Sequence, residues 1–405
     1  MRQADNGEGS LGLYTEVVDP DRLVHDPLVS VVMITYNHEP YITQAIEGVL
    51  SQETDFPIEL IIGEDCSTDR TREIVLDYQR HYPETIRVLL SRQNVGMHAN
   101  GRRTMLAARG EYISFCEGDD WWHRRDKLQI QIPFFQADNS LAYLSGGIQS
   151  ISAEGEVIIS EKYDGCGQRL IPFEYQDLIL LAVPLRTCTV VARADAVRRA
   201  LLGDTLCSDH SQLFGDLPLW MELSQVGKMA YLRENLASFR QSPNSMTRRS
   251  DPLYGHRVLM SFIEVRYRAL ERYPLPGGAS QTASVKATFI RRIMVSAAWV
   301  GDSLEVKNQL KRLRALGGKV GWREIACAVV APIPLPRRAL TVAWRRAICP
   351  LLERIGLDPR KSLRAEVSGG VPIDPRGPWS PDETLEVRPS ARRTLRGDCA
   401  GPARP

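Results

Sequence analysis

Glu117-Gly118-Asp119-Asp120 packs three carboxylates into four residues at the end of an apolar run, Tyr112-Ile113-Ser114-Phe115-Cys116. Like charges this close repel one another, and a fold that gathers them ordinarily offsets the charge with a cation. The acids fall where a buried strand leaves a sheet, the edge at which open α/β sheets bind ligands. The placement points to a hard divalent metal holding a phosphorylated substrate. Two further polar clusters follow apolar runs in the same way. Thr35-Tyr36-Asn37 comes after residues 28–34, and Gly63-Glu64-Asp65-Cys66-Ser67-Thr68-Asp69 after residues 58–62.

The elements that must position these clusters are legible as alternating strands and helices. Residues 28–34 are apolar and rich in β-branched side chains, the pattern of a strand buried on both faces. Ile42, Ala45, Ile46, Val49 and Leu50 then recur at helical spacing. A strand over 58–62 precedes a helix carrying Ile74, Val75 and Tyr78, for which Ser67 or Thr68 offers a cap. A strand over 86–90, the turn Asn94-Val95-Gly96, a helix near 98–109 and a strand over 112–116 complete the first half. This order implies right-handed crossovers and a mainly parallel sheet. Further strands are predicted at 141–145, 156–160, 188–193 and 228–233, with helices at 173–182, 195–202 and 217–226. Residues 255–272 and 284–316 read as helical, with Ser303 as a cap and Gly317-Gly318 as a stop.

The expected organisation is a polar leader (1–27), an α/β domain (28–250), a helical extension (251–320), a basic amphipathic segment (321–364) and a Pro/Gly-rich tail (365–405). The tail holds 12 Pro and Gly and almost no aromatics, so it is expected to be disordered. The eight cysteines form no CxxC pair, which indicates a reducing compartment rather than a disulfide framework. No stretch resembles a signal peptide or a spanning helix. The formal net charge of +2 hides an asymmetry: residues 1–306 carry −9, residues 307–360 carry +9 and residues 361–405 carry +2.

The string VSVVMITYN, IELIIGEDCSTDRTREIV, NVGMHAN, GEYISFCEGDDWWHRRDKLQIQ and GDLPLWMEL resembles the family 2 glycosyltransferases. It is similar above all to a bacterial branch with an EGDDxW motif, and the resemblance covers roughly residues 28–247. It implies a GT-A (Rossmann-like) fold with a mixed, mainly parallel sheet flanked by helices. It also implies a nucleoside-diphosphate sugar donor, expected to be UDP-linked, a Mn²⁺ or Mg²⁺ cofactor, and inversion at the anomeric carbon. Asp119, with Glu117, matches the metal-binding acids. Thr35, Tyr36, Asn37, Glu39 and Glu64 or Asp65 match the nucleotide pocket. Asn94, Gly96 and Asn100 match a turn near the donor, and Arg240 a donor contact. Asp216 matches the catalytic base, although Asp before Leu-Pro-Leu-Trp is also a good helix N-cap. Trp121 or Trp122 could stack on an acceptor sugar or pack in the core. His38, His98 and His123 lack the spacing of metal ligands.

One departure stands out. The branch continues with aromatic-Arg-x-His, whereas Phe239-Arg240-Gln241-Ser242 has serine at the histidine position. Any contact that histidine makes to diphosphate or metal is missing here, which favours an alternative reading as a degenerate sugar-nucleotide binding module. A nucleotidyltransferase is the other rival, but no Gly- and Lys-rich phosphate cradle follows the first strand. The expected acceptor is a cell-surface glycan or its lipid-linked precursor. Residues 336–357 interleave Arg with aliphatics and could lie on an anionic membrane face or pack on the acidic domain. Nucleic-acid binding is not expected. A cytoplasmic protein, peripheral on the inner membrane face, fits these features.

Overall fold

A computed structural model describes residues 13–160, 169–180, 186–209, 212–213, 215–241 and 251–331. The strands and helices run in the order β1 (Tyr14–Val17), β2 (Val29–Thr35), α1 (Ile42–Leu50), β3 (Ile58–Glu64), α2 (Thr71–His81), β4 (Ile86–Ser91), α3 (Gly96–Leu106), β5 (Tyr112–Phe115), α4 (Lys127–Ala137) and β6 (Leu141–Ile151). Then follow β7 (Val157–Ser160), β8 (Leu170–Phe173), α5 (Tyr175–Leu180), β9 (Val191–Arg193), α6 (Ala194–Leu202), α7 (Asp216–Leu223), β10 (Lys228–Arg240), α8 (Pro252–Arg272), α9 (Gly278–Val300), α10 (Ser303–Ala315) and α11 (Trp322–Val330).

The sheet order is β1-β4-β3-β2-β5-β9-β6-β10-β8, with β7 paired to β6. β4, β3, β2 and β5 are parallel, as are β6 and β10, while β1, β7, β8 and β9 pair antiparallel. The apolar runs of β2 and β3 exist because both faces are covered. Val29, Val31 and Met33 pack with Leu60 and Ile62 under α1, α2 and α4. Val32, Ile61 and Phe115 turn the other way and share a core with α6, α7, α8 and α9. The C-terminal helices therefore bury apolar surface directly against the α/β layers, and α9 to α11 add a smaller cluster around Ile290, Met294 and Val306.

Several local expectations need correction. Ser67 and Thr68 do not cap α2; the Asp69 carboxylate accepts from the Thr71 N–H instead. The helical stretch 284–316 is two helices, broken where Gly301 takes a φ of +82°. Asp302, not Ser303, caps the second by accepting from Glu305 N–H. The leader contributes an edge strand, β1, and the segment from 321 opens with a helix, α11. No helix was expected over 127–137, where Pro133 sits inside α4. The basic stretch 336–357, the tail and position 242 lie outside the described residues. Among the described residues no helix is long and apolar enough to cross a membrane.

A buried ionic hub ties the sheet floor together. Glu59, fully buried in β3, accepts from the Ser30 hydroxyl at 2.6 Å, from Arg87 at 3.1 Å and from Arg109 Nε and N at 2.9 Å each. Burial alone would push this carboxyl up, but the Ser30 hydroxyl and the two arginines hold it below its ordinary value of 4.5. Glu59→Gln is expected to cost about 3 kcal/mol in denaturant unfolding, since it removes the one charge that the Arg87 and Arg109 guanidiniums share. In the wild type, Glu59's contribution is complete above pH 4.5 and is lost as pH falls through its lower folded value.

Candidate active site at the sheet edge

The loop after β2 is bolted to the loop after β3. Asn37 N–H donates to Ser67 Oγ, Thr68 N–H to Asn37 Oδ1, His38 N–H to Thr71 Oγ1 and Glu39 N–H to Asp69 Oδ2. Glu39 Oε2 in turn accepts from Arg70 N–H. Asn37 takes a left-handed φ of +55° that Asn tolerates better than most residues. The side chains of Asn37 and Glu39, expected in the nucleotide pocket, thus join the two loops. Tyr36 is exposed at the edge, where its ring can meet a base.

Glu64 and Asp65 are both buried, because the sheet is covered on both faces. Glu64 accepts from Ser67 N–H at 2.6 Å and from Arg72 Nε at 2.5 Å. Asp65 accepts from the N–H groups of Val95 and Gly96 and from the Ser91 hydroxyl, all at 2.9 Å. Asp65 therefore shapes the Asn94–Gly96 turn, in which Asn94 Oδ1 also accepts from Gly96 N–H and Gly96 has a φ of +83°. Asn100 does not face that turn. Its amide donates to Gly63 O while its Oδ1 accepts from Arg103, so it fastens α3 to β3. A Cβ on Gly63 would come within 2.5 Å of that oxygen, which is why the strand has glycine there.

The acidic loop is held from behind by Arg240. Arg240 N–H donates to Asp120 Oδ1, Nε to Asp119 O, Nη1 to the carbonyls of Ser152 and Ala153, and Nη2 to Gln44 Oε1. Arg240, expected as a donor contact, is a clamp on the loop. Trp121 pairs its backbone with Ser238 and packs on Gly48, and Trp122 is buried with its indole donating to Cys188 O. Trp122 serves packing, whereas Trp121 is only half-buried. Beneath them Lys127 donates to Ser114 Oγ and lies 3.9 Å over the Trp122 ring; burial brings its ammonium down to about 7.

At the mouth of the loop, three inaccessible polar atoms have no hydrogen-bond partner: Thr35 Oγ1, His38 Nδ1 and Glu117 Oε2. The first two frame Gly118, where an added Cβ would lie 2.7 and 2.8 Å from them. Burial pushes the Glu117 carboxyl well above the carboxylate range, with Asp120 and Asp119 adding to the shift. Asp120 rises to about 7 from burial and the neighbouring Asp119. These acids can ionise together only with a positive charge beside them. Among the described residues no three His, Cys, Asp or Glu side chains form a ready-made metal cage.

Asp216 opens α7, one residue after the N-cap Gly215. Its Oδ2 accepts from the Thr187 hydroxyl at 3.1 Å and its Oδ1 from Leu217 N–H at 2.7 Å. Asp216, Thr187 and Glu117 line one cavity of about 150 Å³, so the base candidate and the acidic loop meet in a shared space. His98, which sequence reasoning set aside, fixes this arrangement. Its Nε2–H donates to Gln212 O at 2.6 Å, and its ring abuts Gly215, where a Cβ would come within 2.9 Å. The signal was present in the spacing: His98 lies two residues into the helix that starts at the Gly96 turn.

Residues 30–197 match the family model described as Glycosyl transferase family 2. The "Uncharacterized protein Rv1520" of Mycobacterium tuberculosis is 45% identical over 106 residues, a match spanning 26% of this chain and only 31% of that relative. The "Putative teichuronic acid biosynthesis glycosyltransferase TuaG" of Bacillus subtilis is 29% identical over 222 residues, 55% of this chain and 82% of that protein. The crystal structure of S. aureus TarS 1-349 superposes with a TM-score of 0.52 at 16% identity, covering 78% of this chain and 91% of that 1-349 chain, which establishes a common fold. The acidic loop lies inside the segment, residues 30–197, that is similar to glycosyl transferase family 2, and Asp216 follows it on the same edge of the sheet.

Proposed function

We propose that the chain transfers a sugar from a nucleoside-diphosphate donor to an acceptor hydroxyl, with inversion. The observation that carries this reading is the meeting of Glu117 and Asp216 in one cavity, next to the unpartnered Thr35 and His38. A protein of the same fold, S. aureus TarS, binds UDP-GlcNAc in its crystal structure, which supports a UDP-linked donor. The residues fit a divalent cation: Glu117 and Asp119 would hold it, and diphosphate oxygens would complete a shell that one or two carboxylates leave open. When bound, Mn²⁺ or Mg²⁺ would supply charge stabilisation to the departing diphosphate.

The chain's own groups do the rest. Tyr36 and the Asn94–Gly96 turn flank the donor, and Asp65 keeps that turn in shape. Asp216 takes the proton from the acceptor hydroxyl while its oxygen bonds to C1 and the bond from C1 to the diphosphate breaks. One such displacement turns an α-linked donor into a β-linked product. Thr187 orients the carboxylate, and His98 holds the loop that carries it. The acceptor is a glycan or a lipid-linked glycan.

Asp216→Asn is expected to lower transfer about 10²- to 10⁴-fold while UDP with Mn²⁺ still raises the melting temperature. Equal transfer rates for the mutant and the wild type would remove Asp216 from its role. Gly118→Ala should instead weaken Mn²⁺-dependent UDP stabilisation, because the added methyl collides with Thr35 and His38 and shifts the acidic loop. His98→Ala should lower turnover about 100-fold, the order expected for a small misplacement of a reacting group, with UDP stabilisation retained.

A further inference from the structure

The cavity that joins Glu117 to Asp216 is lined mainly by apolar side chains. Its walls are Val32, Ile34, Met105, Phe115, Leu219 and Trp220. Beside Glu117, Asp216 and the Cys207 thiol, the polar side chains on it already have partners: Thr187 with Asp216, His98 with Gln212 O, Arg102 with Leu201 O and Asp209 with Arg268. A hexose seated there would bury several hydroxyls without partners, which is unfavourable for each one. A group without hydroxyls meets no such cost, and an apolar cavity of this size is large enough for a benzene ring.

Gly101 gives the second observation. It lies inside α3 and lines the cavity, yet its φ is not left-handed. A Cβ added there would meet only Met105 Cε at 3.9 Å, which is ordinary contact. Neither backbone geometry nor packing requires glycine at this position, and glycine weakens a helix interior. What its missing side chain does provide is open space in the cavity that Asp216 also lines.

We propose that this cavity seats an apolar group of the acceptor, an aryl or short alkyl aglycone, next to the carboxylate that deprotonates the acceptor. The proposal rests on the glycosyl-transfer reading and narrows its acceptor class. The reacting hydroxyl stays by Asp216, and the apolar group lies along Phe115 and Trp220.

The test is calorimetric titration of the full chain with phenyl β-D-glucopyranoside and with methyl β-D-glucopyranoside, in the presence of UDP and Mn²⁺. The phenyl glycoside is expected to bind at least tenfold more tightly. Gly101→Leu, which fills the space without a backbone clash, should abolish that preference, and Gly101→Ala should reduce it in part. Both variants should keep stabilisation by UDP and by UDP-glucose. Equal affinity for the two glycosides overturns the proposal, as does a phenyl preference that survives both substitutions. Loss of stabilisation by UDP-glucose but not by UDP in Gly101→Leu also overturns it, because the cavity would then hold the donor's sugar. Absence of UDP stabilisation in the wild type would count against the glycosyl-transfer reading, whereas phenyl binding that depends on Gly101 is read independently of it.

Discussion

Four residues between Cys116 and Trp121 gather three carboxyl groups whose mutual repulsion and burial oppose ionisation, and the neighbouring structure holds them in place. Arg240 contributes its backbone N–H and its guanidinium to that loop, yet it approaches from the far side and also binds the carbonyls of Ser152 and Ala153. Trp121 adds a backbone bridge to Ser238. The loop is therefore rigid at its rear and electrostatically incomplete at its front. That is the state expected of a site whose missing charge arrives with a substrate complex.

Rigidity of the same kind extends to the opposite wall. Asp216 is oriented by Thr187, and the loop before it is tied to α3 through His98 and to α8 through the Ser261 hydroxyl, which accepts from Leu213 N–H. The last tie shows why the helices beyond the sheet matter. α8 is not an appendage but a support for the element that carries Asp216. Its Arg266 is buried with its guanidinium donating to the carbonyls of Leu178 and Phe262, and burial lowers it to about 9. Asp216 is the nearby negative charge that opposes this shift.

The parallel half of the sheet was legible in the sequence because strands buried on both faces are uninterrupted apolar runs, as residues 29–33 are, and each ends in a polar cluster. The acidic loop and Asp216 could be found for the same reason: carboxylates at strand and helix ends are conspicuous. What could not be read was the direction of each side chain. Asn37, Glu39, Asn100 and Arg240 sit in the right segments, but their polar atoms are consumed by neighbours brought from distant parts of the chain. His98 and Gly101 were passed over because their importance lies in what they touch or leave empty, not in any motif. Helix α4 was missed because Pro133 argues against a helix, and β1 because four residues in a polar leader carry too little pattern.

That small strand has an effect out of proportion to its length. Tyr14–Val17 lies antiparallel along β4, and Glu16 reaches the Arg87 guanidinium that also serves Glu59. A version of the chain cut back to the family-matching segment would leave β4 as a bare, apolar margin with open backbone groups, ready to zip onto another copy. It would also deprive the Glu59 hub of one of its counter-charges. The residues ahead of the recognisable domain are thus a selvedge, a woven border that keeps the fabric from fraying or snagging on its neighbour.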